Sequence, residues 1–183
     1  MRTADMHPML RSVLLVGVLV WAQGGCAASM GAAVPSGGSK GEGDPMPELT
    51  MAEFWTGKPV RLSAFAGKVV LLDIWASWCV PCKAEMPALD DIARRLRKDG
   101  VEIVAVSIDE DRAAAEAFLK TKKRWALTLM HDPTGAVPSA LEPPKMPTSY
   151  IIDRAGILRG VNAGFEPGDA ARIEARLREL AAR

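Results

Sequence analysis

Residues 68–87 read KVVLLDIWASWCVPCKAEMP, and this stretch limits the fold more than any other. Val69, Val70, Leu71 and Leu72, followed by Asp73 and Ile74, have the length and composition of a buried strand. The run passes through Trp75, Ala76, Ser77 and Trp78 into two cysteines, Cys79 and Cys82, where a helical pattern begins. Cys79 falls at the helix N-terminus, where unpaired N–H groups and the macrodipole favour a thiolate. Cys82 follows by nearly one turn, close enough to close a small disulfide ring with it. Pro81 is tolerated between them because the first helical turn has no N–H partner to lose.

Trp75-Ala76-Ser77-Trp78-Cys79-Val80-Pro81-Cys82, with Glu85 and Pro87 beyond it and Met146-Pro147-Thr148 downstream, resembles the thioredoxin superfamily. Within it the chain is most similar to the membrane-tethered TlpA/ResA-like branch, over nearly everything from about Glu48 onward. The resemblance implies an α/β thioredoxin fold: a central mixed β-sheet flanked by helices, with an N-terminal hairpin and a central insert. It implies a thiol:disulfide oxidoreductase without a cofactor, in which Cys79 attacks and Cys82 resolves the mixed disulfide.

Asp73 matches the carboxylate that thioredoxins bury behind the second cysteine to exchange its proton. Burial without a cation raises a carboxyl pKa, which suits proton transfer near neutrality. Glu85 shares a helix face with Cys82 and matches a ResA-like glutamate that influences cysteine acidity and partner recognition; it also suits the helix dipole. Trp78 reads as a cover for the site, while Trp75 reads as packing. Met146, Pro147 and Thr148 match the loop that carries a cis proline facing the disulfide. The Met146 backbone is placed there to pair with an extended substrate segment. Pro143 and Pro144 depart from the family pattern just upstream and bear on the shape of that groove.

Other chemistries fit the residues less well. Zinc normally takes four ligands, and the spare candidates Cys26, His7 and His131 stand at no ligand spacing, so no metal is expected. His131, before Asp132-Pro133, reads as a loop residue. A copper-binding or metallochaperone module of the same fold resembles C-x-x-x-C with a distant histidine, and this chain has C-x-x-C. A thiol peroxidase centres on one cysteine in a T-x-x-C context, absent here.

The N-terminal segment gives the address. Arg2 and Arg11 precede an apolar run at 12–21, SVLLVGVLVW, short for a membrane span and of signal-peptide length. Gln23-Gly24-Gly25-Cys26 then resembles a bacterial lipoprotein signal, with lipid on Cys26, although Gln23 stands where an apolar residue is usual. An ordinary secreted signal or an uncleaved anchor stays open; all three export the domain to the cell envelope. Removing 1–25 takes Arg2, Arg11 and Asp5 from 23 basic and 22 acidic residues and leaves 21 of each, a balance that does not suggest nucleic acid. Cys79 and Cys82 are then the remaining thiols in an oxidising compartment, which favours disulfide trading over stapling. The implied partners are exported proteins with disulfides, a membrane electron donor and the membrane itself.

The organisation follows as residues 1–26 signal peptide, 27–47 a flexible linker rich in Gly, Ser, Ala and Pro, and 48–183 the thioredoxin-like domain. Within the domain, Gly57 separates two short strands and Gly67 ends a turn at 62–66. A helix is predicted over about 79–98, burying Met86, Leu89, Ile92, Ala93 and Leu96, with Pro87 kinking it and Gly100 ending it. Residues 101–108 form a second buried strand. Asp109, Glu110 and Asp111 supply helix-start residues before 113–120. Strands at 149–152 and 157–161 flank a turn, and an amphipathic helix at 169–182 closes the domain on Ile173, Leu177 and Leu180. The basic cluster Lys120, Lys122, Lys123 and Arg124 reads as a solvated helix end, with Trp125 as packing.

Overall fold

The computed structural model describes residues 40–183; the signal segment, Cys26 and linker residues 27–39 lie outside the described residues. In chain order the elements are β1 (Thr50–Glu53), β2 (Pro59–Arg61), a 3-10 turn (Leu62–Phe65), β3 (Val69–Trp75), α1 (Val80–Leu96), β4 (Val101–Ser107), α2 (Arg112–Leu119), β5 (Thr128–His131), α3 (Ala136–Leu141), β6 (Thr148–Ile152), β7 (Leu158–Ala163) and α4 (Asp169–Ala181). The strands form one mixed sheet in the order β2-β1-β5-β4-β3-β6-β7. β3 and β4 are parallel, as are β4 and β5, while β6 and β7 return antiparallel beside β3. This is the mixed sheet of the thioredoxin fold.

Period-two alternation divides the core between the two sheet faces. Val69, Leu71 and Trp75 of β3 pack with Leu89, Ile92 and Leu96 of α1, Leu119 of α2, and Ile173 and Leu177 of α4. Val70, Leu72 and Ile74 pack on the opposite face with Leu62, Val137, Leu141 and Tyr150. Each fully buried aliphatic side chain contributes ~1.5–3 kcal/mol. Six of the seven β3 side chains are apolar and buried, five aliphatic and Trp75, and the seventh is Asp73, also fully buried. A carboxyl on the α1-facing side of the central strand opposes burial rather than driving it.

α1 runs unbroken from Val80 to Leu96 through Pro87, and Gly100 follows in the left-handed conformation (φ 80°) that a side chain would oppose. Arg95 joins α1 to α4 through Glu174 at 2.6 Å. The body begins ahead of Glu48: Gly43 N–H donates to the Leu158 carbonyl, Met46 N–H to that of Gly156, and Pro45 bridges Ile157. α3 was not foreseen in the sequence; it ends at Glu142, which adopts φ 47° immediately before Pro143. Of the basic cluster, Lys120 pairs with Glu116 and Lys122 with the buried Asp90, so two of its four charges are engaged within the fold. Trp125 packs against Phe118 and donates its indole N–H to the Leu119 carbonyl.

Candidate active site

Cys79 is the N-cap of α1, with extended backbone, and its sulfur accepts the Cys82 N–H at 3.2 Å. Pro81 occupies the first turn, where its missing donor costs nothing. The two cysteines form a disulfide with Cα atoms 5.3 Å apart. Cys82 is fully buried, and Cys79, expected at an exposed helix start, is itself only 5% exposed. The helix end is open, but the sulfur is shielded. Trp78 and Val80, at 65% and 71% exposure, stand beside it and give the rim of the disulfide an apolar surface. Trp75 is fully buried against Phe118.

The loop before Cys79 is held by a carboxylate that the sequence reading assigned elsewhere. Asp109 accepts the Ser77 N–H at 2.9 Å, the Ser77 hydroxyl at 2.6 Å and the Ser107 hydroxyl at 2.8 Å. Asp109 was expected to start a helix; Asp111 performs that role, capping α2 by accepting the Ala113 N–H. His131 is the last residue of β5 rather than a loop residue, and its Nε2 lies 2.7 Å from the Asp109 carbonyl. These bonds fix the chain between β3 and α1, and so the direction from which Cys79 is presented.

Asp73 lies opposite Ser149 across the β3–β6 pairing. The Ser149 hydroxyl is 3.1 Å from Asp73 Oδ1 and 3.4 Å from Glu85 Oε1, the second contact being long for a hydrogen bond. All three side chains are essentially excluded from solvent. Burial pushes the Asp73 carboxyl up to about 7, against the lowering effect of the Ser149 hydroxyl. Burial, and then the neighbouring Asp73 charge, push Glu85 up to about 9. The pair therefore loses its first proton near neutral pH and holds the second to higher pH, because the second ionisation is made beside the first charge. Asp73 Oδ2, Glu85 Oε2 and Asn162 Nδ2 are buried without hydrogen-bond partners.

Met146 and Pro147 are joined by a cis peptide bond. Thr148 pairs with Ile74 and so brings this loop to the same end of the sheet as the Trp75–Cys79 connection. Of the three residues only Met146 keeps a partly exposed surface. Thr148 is fully buried and its hydroxyl donates to the Lys145 carbonyl, which makes it a support of the loop rather than a contact surface. The Pro147 carbonyl accepts the Gly164 N–H at 2.7 Å. Gly164 has φ 82°, and a Cβ there would lie 2.6 Å from the Lys145 side chain.

Sequence reasoning placed Cys79, Cys82, Asp73 and Glu85 correctly on their elements but missed Ser149, Asp109 and Asn162. Ser149 carried one signal, a small polar residue at the start of an apolar strand. Its meaning depended on the β3–β6 register.

A disulfide at a helix N-terminus, on this sheet and beside this loop, is the arrangement of a thioredoxin-fold redox site. The chain belongs to the Redoxin family, which matches it over residues 41–177. It is similar to the thiol-disulfide oxidoreductase ResA of Oceanobacillus iheyensis, at 38% identity over 67% of this chain and 62% of that protein. The chain thus spans less than two thirds of that relative's length. Among solved structures it resembles one from Chlorobium tepidum assigned as the thiol:disulfide interchange protein DsbE, with TM-score 0.73 and 34% identity over 78% of this chain and 99% of that one. It also resembles the pneumococcal exposed lipoprotein thioredoxin Etrx1 of Streptococcus pneumoniae, with TM-score 0.62 and 31% identity over 73% of this chain and 100% of that one.

Proposed function

We propose that the protein is a cell-envelope thiol:disulfide oxidoreductase that reduces disulfides in exported proteins, with apocytochromes c as the substrate class its TlpA/ResA-like resemblance implies. The observation that carries the direction is the pair of buried carboxyls, Asp73 and Glu85, on the inner side of α1, with no cation acting on either. A dithiol is a strong oxidant when its reduced form is stabilised as a thiolate. Here only the helix N-terminus favours a thiolate at Cys79, while burial and negative charge oppose one at Cys82. The balance favours the disulfide and makes the dithiol a reductant. Trp78, Val80 and Met146 supply an apolar surface for a substrate segment, and a membrane donor restores the dithiol.

The reduction potential tests this. Equilibrated against thiol buffers, the Cys79–Cys82 pair is expected near the thioredoxin range, about −270 mV. A value near −120 mV, that of a strong oxidant, would overturn the reductant assignment. The copper-carrier alternative is less well supported. Among the described residues no group of three His, Cys, Asp or Glu is arranged to hold a metal ion.

The location belongs to the same proposal. Among the described residues no helix is long and apolar enough to cross a membrane. The anchor proposed is a lipid on Cys26, which like the leader run lies outside the described residues, supported by that apolar run and by the likeness to an exposed lipoprotein. Cells fed a radioactive fatty acid should label the wild-type protein and not Cys26→Ala. Label that survives the substitution would place the anchor elsewhere.

A further inference from the structure

We propose that the Ser149 hydroxyl joins Asp73 and Glu85 into one buried site that holds a single proton between two carboxyl groups, and that this site as a unit exchanges the proton of Cys82. The inference rests on the redox role of the Cys79–Cys82 pair and adds a positioning residue to it.

A hydroxyl has one proton and two lone pairs. Ser149 Oγ lies within reach of both Asp73 Oδ1 and Glu85 Oε1, at 3.1 and 3.4 Å, and can donate to only one of them. The other contact is favourable only when that carboxyl is protonated and donates back to the serine oxygen. Two carboxylates would leave one charge facing a lone pair in a site without water access, which is the costly arrangement. With one proton in the pair, a donor faces a lone pair in both contacts, the shorter to Asp73 and the longer to Glu85. A paired shift, the Ser149 proton to Asp73 and the Glu85 proton to Ser149 Oγ, then moves the proton from Glu85 to Asp73 without exposing either group.

Among the described residues Ser149 is the one side chain that makes a polar contact with both carboxyls. The buried titratable groups of this core face are Asp73 from β3, Glu85 from α1 and the two cysteines; the other buried carboxyl of α1, Asp90, is engaged by Arg94 and Lys122. β4 places Ala105 beside Asp73, β7 places Asn162 opposite Ser149, and α4 faces the same core with Ile173 and Leu177. The Asn162 amide is uncharged, and its Nδ2 has no partner. The rise of Glu85, to which the Asp73 charge adds after burial, agrees with a shared proton, since the second ionisation must be made beside the first charge.

The resolving step then balances. Cys82 Sγ forms its bond to Cys79 Sγ, and the bond from Cys79 Sγ to the partner's sulfur breaks. The partner leaves with the electron pair as a thiolate, so its disulfide is fully reduced while Cys79 and Cys82 are oxidised. The Cys82 proton passes to the singly charged carboxyl pair, which becomes neutral and later returns the proton to solvent or to the leaving thiolate. Starting from one proton rather than none, the pair accepts without ever holding two charges.

The test is a titration of the full-length protein in detergent, carrying carboxyl-13C aspartate and glutamate, followed by NMR. In the wild type the Asp73 and Glu85 carbons should each move in both titration steps. In Ser149→Ala each carbon should move in one step, and the acid limb of the resolving rate should shift up by about one pH unit, the size of one lost hydrogen bond to a charged group. Ser149→Thr, which keeps the hydroxyl, should restore both. Wild-type carbons that each move in a single step, a Ser149→Ala profile that superimposes on the wild type, or a threonine variant that behaves like alanine would overturn the bridge. The carboxyl titration does not depend on the direction of electron flow. Its failure would remove the shared proton and leave the redox reading standing, whereas an oxidising potential would do the reverse.

Discussion

Cys82→Ala should accumulate as mixed disulfides with its partner proteins, and Cys79→Ala should accumulate almost none. The asymmetry comes from the start of α1. Cys79 is the N-cap and faces the unpaired N–H groups of the first turn; its sulfur accepts the Cys82 N–H even in the disulfide. A thiolate there gains from that hydrogen bond and from the helix dipole. Cys82 lies one turn in, fully buried, with Glu85 three residues on along the same helix face, and ionising it would put a charge where burial and Asp73 already oppose one. Accessibility separates the two less than the sequence suggested, because Cys79 is itself largely covered. Electrostatics at the helix end therefore decides the order. Once Cys79 has attacked, only Cys82 can release the partner, and alanine at that position leaves the intermolecular bond in place. Non-reducing gels of membrane fractions, with the linked proteins identified, read the outcome. Equal trapping by the two variants, or trapping through Cys82 alone, would overturn the assignment. Apocytochromes among the trapped proteins would support the substrate class proposed above, and copper-site proteins would favour the metallochaperone alternative.

Local pattern made most of the fold legible. β3 and α1 could be placed because a continuous apolar run turns at the cysteines into a period of 3.6, and α4 because Ile173, Leu177 and Leu180 share one face. α3 was missed because its six residues are too few to show a period and contain Pro138. Asp109 illustrates a different limit. Its position after a strand and before a helix fits a cap, yet its partners are Ser77 and Ser107, and the Ser77 contact spans 32 residues of sequence. Ser149 illustrates the same limit within the site. Asp73 and Glu85 announce themselves as charges in apolar surroundings, but what joins them is set by strand register, which one chain's sequence does not display. Chemistry carried by residue type was readable, and chemistry carried by juxtaposition was not.

Asp73→Asn should make the protein more stable above neutral pH while slowing disulfide exchange. In the unfolded chain this carboxyl ionises near its ordinary 3.8, whereas in the folded protein burial holds its proton up to about 7. Between those values the unfolded state binds fewer protons than the folded state, so stability falls as pH rises, and the full loss is present above about 7. A rise of that size corresponds to roughly 4 kcal/mol. That exceeds what one buried aliphatic side chain of β3 contributes, about 1.5–3 kcal/mol. Asparagine has nearly the same shape, can still accept from Ser149, and carries no charge to bury. At pH 8 its melting temperature should exceed that of the wild type by about 10 °C, taking ~2–4 °C per kcal/mol for a domain of this size. At pH 4 most of the difference should be gone, because Asp73 is then protonated in the folded protein and only a little over half ionised in the unfolded one. Glu85 offsets part of the gain: without the Asp73 charge its carboxyl is raised by burial alone and gives up its proton at lower pH than in the wild type. The resolving step should slow near neutral pH, because the group that accepts the Cys82 proton has been removed. Melting curves of both proteins at the two pH values, with exchange rates beside them, provide the measurement. Equal melting temperatures at pH 8 would show that Asp73 is solvated in the folded state. A variant that is more stable yet exchanges at the wild-type rate would confine Asp73 to a structural burden and leave Glu85 to handle the proton alone.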